Sequence, residues 1–228
     1  MNHPPVITID GPSGVGKGTM ATMLANTLGW HFLDSGALYR LLALKITLVG
    51  CSGPRLLESA TLVHDAKNLS IYFQNHRCYL DGQDVTEAIR QEEVGLLASQ
   101  ISAIPEVRQA LLERQRAFAQ VPGLVTDGRD MGSVVFPNAD VKFYLDASPE
   151  IRAQRRVQQL KASGISVKFG DLLEDMQKRD RQDKSRLVAP LVVPKGAIEI
   201  DTGLLSKEQV FEKILSEVKS RLRSNGGV

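Results

Sequence analysis

The sequence predicts an α/β protein: a parallel five-stranded core sheet flanked by helices, with a small module of short antiparallel strands inserted. Three observations predict it. Val6–Asp10 is a β-branched apolar run that passes directly into GPSGVGKGT (11–19) and then into helical spacing. Later apolar runs at 123–126, 141–145 and 198–200, each followed by an Asp, alternate with charged helical stretches, as buried strands alternate with crossover helices. The stretch 69–86 breaks that rhythm with strand–turn–strand patterning, so it reads as an insertion.

Element by element, Val6–Asp10 is bounded by Pro5 and Gly11 and reads as a buried strand. Met20, Met23, Leu24 and Leu28 lie at helical spacing over Lys17–Leu28, and Gly29 supplies a stop. His31–Leu33 is a short strand entering Asp34-Ser35-Gly36, and Leu38–Val49 a helix. CSGPR (51–55) is a loop, and Leu57–Lys67 is weakly helical. LSIYF (69–73) and RCYLD (77–81) are strands about a polar QNH turn, with a third short strand at 84–86 after the turn residues Asp81-Gly82. Helical spacing returns over Glu87–Ile101. Pro105–Gln120 opens with Pro where a missing N–H costs nothing. Helices follow at Pro149–Leu160 and Phe169–Arg181, joined by KASGISV. The last helix, about 206–222, starts with a Ser206-x-x-Gln209 box, and RSNGGV frays.

A chain of 228 residues supports one sizeable core with a small appendage. The net charge of +2 is too mild to argue for a nucleic-acid or membrane surface. Cys51 and Cys78 make no disulfide framework, and four scattered histidines offer no metal spacing. MNHPP is no signal peptide, and no apolar run is long enough to span a bilayer. These features predict a cytoplasmic enzyme that is monomeric and binds neither nucleic acid nor membrane.

Gly11, Gly16 and Lys17 satisfy the G-x-x-x-x-G-K phosphate loop, with Pro12, Ser13, Gly14 and Val15 between. Glycines let successive N–H groups turn inward around a β-phosphate, the following helix N-terminus adds positive potential, and the lysine reaches the β- and γ-phosphates. The usual Ser/Thr magnesium ligand after the lysine is replaced by Gly18, and the hydroxyl comes one residue late at Thr19. Magnesium, which keeps several waters, is therefore expected to be held by nucleotide phosphates and water, with no direct protein ligand.

Phosphoryl transfer needs a second cradle for the acceptor. DSGALYR (34–40), TDGRDMG (126–132) and RDRQDKSR (179–186) offer one. Taken singly, each has an ordinary alternative: Arg40 as a solvated helix charge, Asp127 as a cap, RDRQDKSR as an exposed helix end laced with ion pairs. Together with a phosphate loop they read as cations gathered for several phosphates.

GPSGVGKGT, DSGALYR, DGRDMGSVVFP and RDRQDKSRLVAPL, in this order and at these separations, resemble the bacterial cytidylate kinases from Val6 to about Val218. The resemblance implies a P-loop nucleoside-monophosphate kinase, one domain over 1–228. It carries a monophosphate-binding insert at 36–105 and a lid at 155–170. It implies transfer of the γ-phosphate of ATP to CMP or dCMP with magnesium. By similarity, Ser35, Arg40 and Arg129 serve the acceptor phosphate. Ser99, Arg108, Asp130 and Arg186 read the cytosine, and Arg179 and Asp183 meet the sugar. Near the lid, Arg155 is the first choice for a transition-state arginine among Arg152, Arg155 and Arg156, and Asp127 orients magnesium-bound water. Lys17, Arg129, Arg155 and Asp127 are then the catalytic set.

Other readings weigh less. A switch GTPase needs an N-K-x-D motif, which does not occur. A kinase for AMP, UMP or shikimate would share the phosphate loop and differ in the acceptor residues.

Overall fold

The structure, a computed structural model, describes residues 3–48, 59–74, 77–162 and 164–224. The expected CSGPR loop, the QNH turn beyond Gln74 and the last four residues lie outside the described residues, as does Cys51. The chain divides into two compact units, one formed by 1–33 with 118–228 and the other by 34–117.

The first unit holds five strands in the order β2-β6-β1-β7-β8: β1 (Val6–Asp10), β2 (His31–Asp34), β6 (Leu124–Gly128), β7 (Val141–Asp146) and β8 (Ile198–Asp201). β1 pairs in parallel with β6 and β7, and β7 with β8. Ile7 and Ile9, Val125, and Val141, Phe143 and Leu145 take every second position of their strands and so share one apolar face, while the alternate residues of β1 and β6 are buried as well. Leu24 of α1 (Lys17–Leu28) and Val210, Ile214 and Val218 of α8 (Lys207–Ser224) pack into that core. Gly29 ends α1 in the left-handed conformation, its N–H returning to Ala25 and Asn26 carbonyls. α6 (Pro149–Ala162) and α7 (Phe169–Ser185) complete the unit.

The second unit has its own core. Leu41, Leu42 and Ile46 of α2 (Ser35–Leu48) meet Leu62 of α3 (Ser59–Lys67), Val94 and Ile101 of α4 (Glu92–Ile101), and Leu111 of α5 (Pro105–Ala117). A small antiparallel sheet, β3 (Ile71–Gln74), β4 (Arg77–Leu80) and β5 (Gln83–Asp84), packs Ile71, Phe73, Cys78 and Leu80 on the same core. Asp81 and Gly82 join β4 to β5, both at positive φ (48° and 83°), the tight turn that matches strand twist. Tyr72 and Tyr79 stack across the β3–β4 pair at 4.5 Å.

Several expected bounds shift. The helix expected from Leu38 begins at Ser35, because the Asp34 carboxylate accepts the Ala37 N–H at 3.1 Å and caps it. The helix expected over Glu87–Ile101 is a 3-10 turn at Ala88–Arg90 followed by α4. α7 runs on to Ser185, four residues beyond expectation, so RDRQDKSR is the end of a helix. A single π-helical turn at Met131–Val135 follows β6 and was not expected.

Candidate active site

The phosphate loop springs from the end of β1. Gly11 sits at φ 151°, and a Cβ there would lie 2.2 Å from the Leu145 carbonyl oxygen, so no side chain fits. Gly16 caps α1, and Met20 N–H donates to its carbonyl at 3.1 Å. Lys17 folds its buried ammonium back onto the Pro12 carbonyl at 3.1 Å, closing the loop on itself. Ser13, Gly14 and Val15 form the crest, and the Val15 carbonyl accepts the Thr202 hydroxyl at 3.3 Å. Thr19, the third residue of α1, is exposed.

Arg152 supports that crest from beneath. Its guanidinium is 2 % exposed and donates to the Ser13 carbonyl at 3.0 Å, the Ala147 carbonyl at 2.9 Å, and both Asp180 oxygens at 3.2 and 2.5 Å. The sequence offers Arg152 as one of three candidates for a transition-state arginine; the structure buries it between the loop and Asp180. Arg155 donates to the Thr202 hydroxyl at 3.1 Å and carbonyl at 2.6 Å. Arg156 is half-buried one residue on.

Asp127 lies inside β6, 5 % exposed, and its carboxylate is 3.8 Å from where a Cβ on Gly18 would sit. The missing hydroxyl at Gly18 thus leaves room beside a carboxylate. Among the described residues no three His, Cys, Asp or Glu side chains cluster as a cation cage. The Asp127 carboxylate beside the loop is a hard oxygen donor of the kind that suits a magnesium ion that keeps its waters.

Past β6, Arg129 meets α7. Arg129 Nε donates to Asp183 Oδ2 at 2.9 Å, and Arg186 donates to Asp183 Oδ1 at 2.5 Å. Asp183 is 1 % exposed. Burial pushes its carboxyl up, but the Arg129 and Arg186 charges, with Arg179 behind them, outweigh it and hold Asp183 below its ordinary value. One buried carboxylate therefore fixes two guanidiniums, the residue type suited to planar anions. Asp130, 3 % exposed, precedes the π-helical turn, whose Val134 and Val135 N–H groups donate to its carbonyl.

Asp10, which sequence reasoning passed over as the end of an apolar strand, accepts the Met131 and Gly132 N–H groups at 2.8 and 2.7 Å. Burial pushes its carboxyl up to about 6, against the pull of those two amides; the Asp130 charge adds to the rise and Lys17 opposes it. A polar residue ending a buried central strand was the available signal.

The second unit carries the remaining predicted residues. Ser35, 4 % exposed, accepts the Gln115 amide at 2.9 Å. Arg40 donates to the Ile89 carbonyl at 2.8 Å, and its guanidinium lies over Gly95, where a Cβ would come within 2.9 Å. Ser99 accepts through its carbonyl from the Ser102 hydroxyl at 2.8 Å, and the Ser102 carbonyl accepts from Arg108 at 3.0 Å. The Arg108 guanidinium also lies 5.7 Å from the Tyr39 ring centroid.

Comparison with known proteins adds an independent finding. The family model described as cytidylate kinase matches residues 7–220. A cytidylate kinase of Marinomonas sp. (strain MWYL1) is 54% identical over 222 residues, covering 95% of this chain and 96% of that one. One from Stutzerimonas stutzeri (strain A1501) is 53% identical over 223 residues, with 95% and 96% covered. Among solved structures, an uncharacterized protein from Eubacterium ventriosum shares the fold, with TM-score 0.51 at 15% identity, covering 95% of this chain and 99% of that one.

Proposed function

The chain belongs to the cytidylate kinase family, and from that premise we infer that it transfers the γ-phosphate of ATP to CMP or dCMP, giving ADP and CDP or dCDP. The observation that carries the reading to the site is the Asp183 carboxylate holding Arg129 and Arg186 at the end of the strand beside the phosphate loop. Ligands in open α/β sheets gather outside the carboxyl ends of strands, where both constellations stand.

The acceptor phosphate is already ionised, so one of its oxygens attacks the γ-phosphorus without a general base. The bond to the bridging oxygen breaks, and ADP leaves with that electron pair. Lys17 neutralises charge on the β- and γ-phosphates, and the loop amides Gly11 to Thr19 hold the donor in line. Arg129, Ser35 and Arg40 serve the acceptor phosphate. Asp130, Arg186, Ser99 and Arg108 read the base: a carboxylate accepts from the cytosine amino group, and cations donate to its N3 and O2. Uracil reverses the donor–acceptor sense on that edge and is disfavoured. Arg179 and Asp183 meet the sugar. Magnesium, when bound with ATP, supplies charge neutralisation across the transferred phosphate, and Asp127 orients its waters. Arg155 belongs to the catalytic set as a transition-state donor, which requires it to leave the Thr202 carbonyl. Residues 36–105 form the acceptor-binding insert and 155–170 the lid. The protein acts as a cytoplasmic monomer on small molecules alone, and among its described residues no helix is long and apolar enough to cross a membrane.

The test is ADP release with ATP, magnesium and CMP, dCMP, UMP, AMP or shikimate offered in parallel. Strong release with CMP and dCMP alone is expected. Preference for another acceptor would keep the phosphate loop and remove the base-reading set. Asp130→Ala should lower the CMP-to-UMP ratio of kcat/KM while leaving the KM for ATP nearly unchanged, and an unchanged ratio would take Asp130 out of base reading.

A further inference from the structure

β1 is the middle strand of its sheet, yet two of its five side chains, Thr8 and Asp10, are polar and both are fully buried. Residues i and i+2 of a strand share a face. Both touch the same object, the turn that follows Asp130. The Asp10 carboxylate spends one oxygen on the Met131 N–H and the other on the Gly132 N–H. A Cβ on Gly132 would come within 2.7 Å of Thr8 Oγ1 and 3.1 Å of Pro194 Cγ, so the turn is seated directly on the strand. The turn itself is a π-helical one, closed by Val135 N–H on the Asp130 carbonyl and Phe136 N–H on the Met131 carbonyl. Such turns are unfavourable in isolation and must be held by their surroundings. A buried carboxylate is a costly way to hold anything, unless the geometry it imposes matters.

We propose that Asp10 is a positioning residue for acceptor recognition: its carboxylate fixes the Met131–Gly132 backbone and so aims Asp130 and Arg129 at the acceptor. This rests on the acceptor roles proposed above for those two residues. Asp10 is also the residue directly before Gly11, so one side chain ties the start of the phosphate loop to the acceptor-reading turn. An ionised carboxylate only accepts, and each oxygen here takes one amide. Asparagine has the same size but offers one acceptor and one donor, and its donor would confront a backbone N–H. Glutamate places its oxygens a methylene too far along.

The experiment compares wild type, Asp10→Asn, Asp130→Ala and the double variant with ATP and CMP, dCMP or UMP, each checked for folding by thermal melting. Asp10→Asn should raise the KM for CMP about tenfold or more and lower the CMP-to-UMP ratio of kcat/KM, while the KM for ATP stays within about twofold. In the double variant the ratio should fall no further than in Asp130→Ala alone, because both changes affect discrimination between the bases through the Asp130 side chain. A folded Asp10→Asn with wild-type CMP affinity and ratio, or one that loses ATP and CMP binding equally, would overturn the proposal. If Asp10→Asn does not fold, Gly132→Ala carries the same test, since it displaces the same turn without removing the carboxylate. Wild type that phosphorylates no CMP would instead overturn the functional reading. Wild type active on CMP beside an indifferent Asp10→Asn overturns only the role of Asp10.

Discussion

Lys17 lies inside the loop it closes, its ammonium on the Pro12 carbonyl, poised where donor phosphates would replace that carbonyl as its partner. Lys17→Ala should lower kcat by at least about a hundredfold in a coupled assay, the size expected when one charge-stabilising group is lost. Wild-type turnover in that variant would contradict the assignment. Asp10, bonded to the Met131 and Gly132 amides, and Asp183, bonded to Arg129, have opposite consequences for stability. Folded Asp10 keeps its proton up to about pH 6, whereas its ordinary value is 3.8. Between those values the folded state binds more protons, so its contribution is full in acid and is lost as pH rises through about 6, a change of about 3 kcal/mol at most. Asp183 is held below its ordinary value, so its contribution is present above about pH 4 and is lost on acidification. Asp10→Asn removes only the first of these. Its melting temperature relative to wild type should therefore rise between pH 4 and pH 7, and a constant difference across that range would contradict the account. The phosphate loop was legible because its chemistry fixes residue types at fixed spacing. Asp10 was not, because a strand is read from its apolar residues and a terminal Asp marks only where the run ends.

At the scale of elements, α7 separates what pattern can show from what it cannot. As a string, RDRQDKSR is compatible with a solvated helix end, and its length was read four residues short. Only the fold brings Arg129, 54 positions away in sequence, against Asp183, and Arg152, 28 positions away, against Asp180. Burial of a charge depends on such partners, which no local period records. The Arg152–Asp180 pair holds the crest of the phosphate loop to α7, and so gives a stability prediction rather than a recognition one. Asp180→Ala leaves the Arg152 guanidinium buried without its counter-charge and should cost about 3 kcal/mol. In a domain of this size that is a fall of about 10 °C in melting temperature. A loss under about 2 °C would show that the pair is not needed to hold the loop. The π-helical turn after β6 was illegible for a related reason: five residues carry no period, and the turn exists because Asp10 and Thr8 seat it.

For the whole molecule, the alternation of buried strands with charged helices gave the parallel sheet, and the strand–turn–strand patterning gave the small antiparallel one. The strand order β2-β6-β1-β7-β8 was not readable, since apolar runs do not say which neighbour they choose. That order puts β1 between β6 and β7, so the phosphate loop, Asp127 and the Arg129–Asp130 turn issue from adjacent strand ends. A molecule built this way should pass phosphate to CMP and not to water. The most direct measurement follows the label from γ-³²P-ATP in the presence of CMP and magnesium. The account predicts label in CDP at the rate ADP appears, with little free phosphate, and no labelled diphosphate when UMP or AMP replaces CMP at the same low concentration. Label released chiefly as free phosphate, or passed equally to UMP, would contradict it.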